Sequence, residues 1–270
     1  MSRLSLSRAW DESKAIFVRD GALLTAVALA LLVLPEIVAG VVSPPAVASQ
    51  SAGGRLLALA MAFVGVIGQL AIVRLAIGPS TTVGQAIAHG ARRFPATLGA
   101  LMLLVLAMGI IIIPLLVALL MAGIIATPVA GQAPPPSFST ALLVIVIAAL
   151  FVAVKFIMTV PVASAEAAGP LTILKRSWKL TSGVYWGLFG VELLLLVAAL
   201  ALLLSAQFVG GGIAAALGQI EAFSVSALVL SAFMGVAQGV FTVLASVMLA
   251  RIYVQLSRGE AAVTVPSSGT

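Results

Sequence analysis

Six apolar runs, each about 20 residues long or longer, constrain this chain more than any other feature of its sequence. A helix of about 20 apolar residues is long enough to cross the hydrocarbon core of a bilayer. The runs therefore predict an all-α, polytopic transmembrane bundle with six spans, at residues 21–42, 55–77, 95–127, 141–163, 184–208 and 225–256. We expect residues 1–258 to form one membrane domain and residues 259–270 a disordered polar tail.

The composition excludes several classes of function. Hydrophobic residues make up 62% of the chain and charged residues only 8%, whereas a soluble domain carries roughly a quarter charged residues. Cysteine is absent and histidine occurs once, as His89. These counts remove disulfides, thiolate catalysis and zinc–cysteine sites, and they leave little for histidine-based chemistry. We expect no catalytic residue, no metal site and no cofactor.

The net charge is +6, and the basic residues of the chain lie beside the apolar runs. That position favours the bilayer and its anionic phospholipid headgroups as the partner. We expect no nucleic acid to bind.

One charged stretch lies between the fourth and fifth runs. On a helical wheel with 100° per residue, apolar and basic side chains fill opposite halves of it. This pattern is typical of an amphipathic helix that lies in a membrane interface. The apolar half holds Leu171, Ile173, Leu174, Ser177, Trp178 and Leu180, and the basic half holds Thr172, Lys175, Arg176 and Lys179.

Residues 2–19 and 81–94 show the same kind of two-sided pattern. Aligning the three patterns brings the small residues Ser13, Gly90 and Ser177 into register, and each pattern precedes two apolar runs. The sequence therefore predicts three helix–span–span repeats with cytoplasmic-side interfacial helices, in units of about 5–78, 79–164 and 165–258. The alternative is that any six-span composition yields such an alignment.

The distribution of cations predicts the orientation of the chain. Nine basic residues fall in the segments on one side of the predicted spans, and Arg55 alone stands at the other side. Lys and Arg remain cytoplasmic, so we expect both termini in the cytoplasm and the loops near residues 48, 133 and 215 outside. A cleaved signal peptide is the rival interpretation of the first run, but that run is too long and follows a helical pattern.

A family resemblance rests on Pro161, Glu166, Gly169 and residues 174–186, Leu-Lys-Arg-Ser-Trp-Lys-Leu-Thr-Ser-Gly-Val-Tyr-Trp. These residues resemble the signature of the membrane domain attached to some bacterial glycerophosphoryl diester phosphodiesterases, and of its stand-alone relatives. The resemblance implies a six-span protein of the bacterial cytoplasmic (inner) membrane. It does not imply the phosphodiesterase activity, which belongs to a separate soluble barrel with two catalytic histidines.

The candidate binding residues follow from these helices. We expect lipid headgroups to bind at Arg92, Arg93, Lys175, Arg176 and Lys179, since each cation adds attraction to an anionic leaflet. Aromatic residues at the same level are expected to anchor the chain in the interface. These anchors are Trp10, Trp178, Tyr185 and Trp186.

Charged residues inside the predicted spans are costly and therefore informative. Counted from the ends of their spans, Lys155 and Glu192 fall at equal depth on consecutive spans, which predicts an ion pair between them. The alternative is that Lys155 extends toward the inner face and Glu192 is protonated. Glu36 is either neutral or reaches Arg55.

Gly235 and Gly239 have the spacing that lets helices approach closely. They predict packing within the bundle or, as the alternative, a homodimer.

Three classes of function remain open at this stage. The first is a non-enzymatic membrane module that interacts with lipid or scaffolds an unknown membrane-protein partner. The second is a small transporter or lipid-handling permease that uses Glu36, Lys155 and Glu192. The third, an intramembrane enzyme, has the least support, because the sequence shows no paired carboxylates and no nucleophile with a base.

Overall fold

The structure is a computed structural model that describes residues 5–44, 52–78, 82–126 and 133–264. This part of the chain is 88% helical and contains no strand. Helix α1 (Leu6–Ala28) continues through a π-helical turn (Leu29–Val33) into α2 (Leu34–Val42). The remaining helices are α3 (Ala52–Ile77), α4 (Val83–Met121), α5 (Pro136–Phe156), α6 (Thr159–Ala165), α7 (Pro170–Ser182), α8 (Tyr185–Leu217) and α9 (Val225–Thr264).

Within the described residues, six helical segments are long and apolar enough to cross a membrane, as the sequence predicts and as a multi-pass membrane protein requires. Their bounds are Leu6–Val42, Ala52–Ile77, Val83–Met121, Pro136–Ala165, Tyr185–Leu217 and Val225–Gly259.

Two of the three expected interfacial helices are not separate helices. Residues 6–19 form the start of the continuous helix Leu6–Val42, and residues 83–94 form the start of α4. A capping box of Thr82 and Gln85 begins α4, and the helix then continues through Pro95 without a break. At 1.5 Å per residue, each of these helices is more than 50 Å long, against a hydrocarbon core of about 30 Å. Their N-terminal turns therefore extend beyond the length that a membrane core requires.

The fourth and sixth spans also differ from their expected bounds. The fourth is interrupted between α5 and α6, at Ile157 and Met158. Pro161 explains the interruption, because a proline ring clashes with the carbonyl four residues before it. The last helix continues to Thr264, so the polar tail expected from residue 259 begins as helix, and residues 265–270 lie outside the described chain.

The buried core lies at one end of the bundle, which we call the basal end. It comprises the N-terminal halves of α1 and α4, the C-terminal halves of α3 and α9, and α6 and α7 with the adjoining turns of α5 and α8. Buried side chains from these elements meet there, including Leu70, Met158, Ile173 and Ile252. A second cluster around Leu24, Ile72, Leu75 and Val247 continues it.

The opposite part of the bundle, which we call the distal half, is much more open. No residue of α4 after Ala100 is buried, and on α5 only Val154 is. One backbone hydrogen bond closes the distal half at its outermost turn, from the amide of Phe223 to the carbonyl of Val41 at 2.8 Å.

Candidate functional site

Helix α7 is seated on the basal end through its small and apolar residues. Ile173, Ser177 and Thr181 are fully buried. The hydroxyls of Ser177 and Thr181 both donate to the carbonyl of Lys155, at 3.0 and 3.3 Å. That carbonyl precedes the break between α5 and α6, so α7 supplies the donors that the interrupted helix lacks.

The opposite face of α7 is exposed. Lys175, Trp178 and Lys179 lie on this face, together with Leu171. Cations and a tryptophan thus share one accessible surface, whereas the helical wheel placed Trp178 on the apolar half, opposite the lysines.

Arg176 has a different role from its neighbours. Its Nε donates to Oε1 of Glu166 at 3.1 Å, and the hydroxyl of Tyr253 donates to the same oxygen at 2.9 Å. The arginine side chain is about one quarter exposed. Arg176, expected to bind headgroups, therefore joins α7 to the preceding loop and, through the shared oxygen, to α9.

Arg92 and Arg93 lie on the first turns of α4 and form the second part of the basic surface. They act electrostatically on His89, as does Arg74 at the end of α3. Within the described chain, no acidic residue forms an ion pair with Arg74, Arg92, Arg93 or Lys175. Like charges at close range repel one another, and an anion would relieve that repulsion.

His89 is part of the structural frame of this surface. Its Nε2 lies 2.8 Å from the carbonyl oxygen of Ser164, and the hydroxyl of Ser164 donates to the carbonyl of Leu70 at 3.2 Å. These two bonds connect α4 and α3 to the end of α6. The histidine is thereby engaged with backbone.

The expected aromatic anchors lie at the surface of the same end. Trp10 and Trp178 are about half exposed, at 50% and 49%, and Trp186 is 73% exposed. Tyr185 is half-buried instead, and its hydroxyl donates to the carbonyl of Phe151 at 2.8 Å. Tyr185 therefore fastens α8 to α5.

The predicted ion pair between Lys155 and Glu192 is wrong. The ammonium of Lys155 lies 5.1 Å from the centroid of the Trp178 ring and 5.0 Å from that of Tyr185, and it is 3.4 Å from the hydroxyl of Ser182. Oε2 of Glu192 is buried without a hydrogen-bond partner in the described structure.

The reason for the error is the register of α5 against α8. The rings of Phe151 and Phe189 stack at 5.0 Å, so these two residues lie at the same height on the antiparallel helices α5 and α8. Each step forward along α5 is therefore level with one step backward along α8. Lys155 is thus level with Tyr185, and Glu192 lies seven residues, or roughly 10 Å, farther along. Lys155 extends toward the basal end, which is the alternative that the sequence left open.

An ion pair that the sequence analysis missed joins the two ends of the chain. Arg251 of α9 donates from Nη2 and Nε to Oε2 of Glu12, at 2.7 and 2.9 Å. Arg8 binds the other oxygen of Glu12 at 2.9 Å. Two features of the sequence pointed to this pair: Arg251 interrupts the last apolar run, and Glu12 lies on the polar side of the first helix. No local pattern connects positions that are 239 residues apart, so the pairing itself could not be predicted.

A groove of about 620 Å³, which we call the central groove, runs along the π-helical turn and α2, between α3 and α9. Its wall is mostly apolar, with Leu31, Met61 and Phe241 among the lining residues. Five hydrogen-bonding side chains interrupt this lining: Glu36, Gln69, Gln238 and Thr242, which come from all three helices, and Ser43, which follows the end of α2. No ion pair links Glu36 to Arg55 or to another described residue.

The two glycines of the last helix pack within the bundle. A Cβ placed on Gly235 would lie 3.2 Å from the carbonyl oxygen of Val33, and one on Gly239 would lie 2.7 Å from a methyl carbon of Val33. The chain's own first span therefore packs against these two glycines.

The described residues contain no group of three or more His, Cys, Asp or Glu side chains that could hold a metal ion. Among known families, one described as a domain of unknown function (DUF7847) has a model that matches residues 4–256. No curated protein matches the chain. No solved structure matches it either.

Proposed function

The chain belongs to the DUF7847 family, whose description names no activity, and we propose a function for it from the geometry of its basal end. The protein is a non-enzymatic, lipid-interacting membrane module that binds anionic phospholipid headgroups at Arg92, Arg93 and Lys175, with Lys179 on the same face. The observation that carries this proposal is that no described acidic residue forms an ion pair with Arg92, Arg93 or Lys175, which lie at the same end of the bundle as the exposed tryptophans.

Contrast within the same helix supports this assignment. Arg176 is neutralised by Glu166 and half-buried, whereas Lys175 is exposed and has no acidic partner in the described chain. A residue that binds a headgroup must be accessible and must lack an acidic partner. A residue that holds two helices together is instead buried and paired. Each accessible cation contributes about 1 kcal/mol of attraction to an anionic leaflet.

The experiment compares phospholipid that co-purifies with the parent protein and with a triple variant, Arg92→Gln, Arg93→Gln and Lys175→Gln. Native mass spectrometry should show clearly less phosphatidylglycerol or cardiolipin on the triple variant. Lys175→Gln alone should retain less lipid than Arg55→Gln, which removes the same charge in the distal half. Equal retention by all four proteins would reject headgroup binding.

We propose the orientation that the charges predict, with the basal end in the cytoplasm of a bacterial inner membrane. Single cysteines at exposed serines test it in whole cells, because the chain has no cysteine of its own. An impermeant thiol reagent should label Ser137→Cys in the first turn of α5 and should not label Ser7→Cys in α1. The reverse pattern would invert the topology.

The three-repeat architecture also remains a proposal, and two contacts support it. A Cβ on Gly90 would lie 2.6 Å from the carbonyl oxygen of Ile67, and the hydroxyl of Ser177 bonds the carbonyl of Lys155. In both cases the small residue of one unit meets the backbone of the last span of the preceding unit, at separations of 23 and 22 residues. The relationship to the membrane domain of glycerophosphoryl diester phosphodiesterases remains a proposal from residues 161–186 alone.

The second candidate function, a small transporter or lipid-handling permease, retains one observation in its favour. Of its three expected residues, Glu36 lines the central groove, while Lys155 is enclosed by aromatic rings at the basal end. The central groove is therefore considered as a ligand site in its own right.

A further inference from the structure

The central groove has the properties of a ligand site for a small organic molecule. Its volume of about 620 Å³ falls in the range of roughly 300–1,000 Å³ typical of such sites. Its lining is mostly apolar, with a few polar groups that converge from different helices, which is the composition that orients a ligand. The site is separate from the basal cations and carries the opposite charge.

The polar side chains lie close together along the axis of the bundle. The contact of Gly235 with Glu36 sets the height of α9 relative to α2, and the contact of Gly68 with Leu31 sets the height of α3 relative to the π-helical turn. Counted from these contacts at 1.5 Å per residue, Gln238, Gln69 and Thr242 lie roughly 5 to 11 Å from Glu36 toward the basal end.

This height is well inside the apolar part of the helices. Glu36 is six residues before the end of α2 at Val42, so it lies roughly 9 Å below the distal end of that helix. A hydrocarbon core about 30 Å thick would contain these four side chains. Ionisable and polar groups at such a depth are rare, and they mark ligand or ion sites.

The backbone at the same height is unusual as well. The π-helical turn Leu29–Val33 is inserted between α1 and α2, and Leu31 and Leu32 of this turn line the groove. Single π-turns inside longer helices occur frequently at functional sites. Here the turn faces Gln69 and Thr242 across the groove.

The charge of the lining indicates the ligand. Among the described residues that line the groove, Glu36 alone is charged, and its carboxylate has no cationic partner in the described chain. An ammonium group would supply the missing charge, and charge-assisted hydrogen bonds of this kind are the strong ones. The apolar wall accommodates the remainder of the molecule.

We propose that the central groove binds an ammonium-bearing amphiphile, with its cationic group at Glu36 and its apolar portion along the wall formed by α3 and α9. Gln69, Gln238 and Thr242 supply hydrogen bonds to polar atoms that enter the groove with it. The groove is open on one side, so the ligand enters from the surrounding bilayer.

The experiment measures binding of radiolabelled dodecylammonium, a primary ammonium with three N–H donors, to the purified protein by equilibrium dialysis. Glu36→Gln should weaken binding about tenfold, as expected for the loss of one charged hydrogen-bonding partner. Glu221→Gln, which removes a carboxylate from the loop before α9, should bind like the parent. The proposal is overturned if Glu36→Gln binds as tightly as the parent.

A second variant covers the case in which Glu36→Gln does not fold. Ala62→Phe keeps the carboxylate but fills the groove beside it, and it should also bind the probe more weakly than the parent. Parent-like binding by Ala62→Phe would place the probe elsewhere and overturn the proposal.

Competition distinguishes the two natural sources of an ammonium group. Displacement of the probe by phosphatidylethanolamine in nanodiscs assigns the site to a membrane lipid, and displacement by methylammonium assigns it to a free organic cation. Displacement by neither would contradict an ammonium site at Glu36.

Discussion

The basal end and the distal half of this bundle are built on different principles. The basal end contains the ion pairs of Glu12, Asp20 and Glu166, and all helices except α2 contribute to the buried core there. In the distal half, α4 exposes Val105, Leu106, Ile110 and Ile111. Lipid tails are as apolar as these side chains, so the distal helices have no hydrophobic reason to pack. Polar groups, in contrast, need hydrogen-bonding or ion-pair partners, so the helices pack closely where polar groups occur.

The comparison also explains the use of glycine. Close helix contacts in a membrane depend on small residues, since no hydrophobic force draws the helices together. On α4, Gly90 provides such a contact at the basal end, whereas Gly109 has only Ile113 of its own helix nearby, at 3.8 Å. In the distal half, Gly40 meets Ser231 and Gly210 meets Phe233, so the close contacts there join α2 and α8 to α9.

The largest expected effect comes from replacing Gly90 and Gly109 in turn. Gly90→Leu should destabilise the protein by about 3 kcal/mol or prevent folding, because its Cβ would lie 2.6 Å from the carbonyl oxygen of Ile67. Gly109→Leu should be neutral or slightly stabilising, since leucine favours the helix and meets no neighbour. Thermal unfolding in detergent measures both. Equal losses would mean that the distal half is as tightly packed as the basal end.

A smaller effect is expected from the pair that joins the two ends of the chain. Arg251→Met leaves Glu12 without its bidentate partner in a site where both side chains are about one fifth exposed. The loss should be about 2 kcal/mol.

A double-mutant cycle with Glu12→Gln isolates this interaction, and the two changes should be clearly non-additive. Additive losses would show that the two residues act separately, and the basal end would then owe its stability to apolar packing alone.

Lys155 should give the smallest effect. Its coupling to Tyr185, measured with Lys155→Met and Tyr185→Leu, should be about 0.5–1 kcal/mol, as for a cation over an aromatic ring. Its coupling to Glu192, measured with Glu192→Gln, should be close to zero. Strong coupling to Glu192 and none to Tyr185 would restore the ion pair that the register of α5 and α8 excludes.

The parts of the fold that the sequence predicts well are those set by local composition. The six apolar helices follow from run length, and the separate helix at 170–182 follows from its two faces, bounded by Gly169–Pro170 and Gly183. The position of Gly235 and Gly239 in a close contact follows from their spacing.

The parts that the sequence does not predict depend on how helices meet. The first basic segment continues into its span because no proline separates the two, and the second continues through Pro95. A change from polar to apolar composition is not a stop signal. The pairing of Lys155 requires the height of α8 on α5, which stacking of Phe151 on Phe189 fixes. The central groove arises only when α2, α3 and α9 come together, although Glu36 alone marked one wall of it.

The most direct test of the account is amide hydrogen–deuterium exchange of the protein in nanodiscs, with and without phosphatidylglycerol added to phosphatidylcholine. We predict slower exchange in peptides from α7 and from the start of α4 when the anionic lipid is present, because headgroups bound to Lys175, Arg92 and Arg93 would hold these turns. The distal turn at residues 218–224 should exchange at the same rate in both lipids. Exchange that does not depend on lipid in α7, or that slows equally at both ends, would contradict a headgroup site at the basal end.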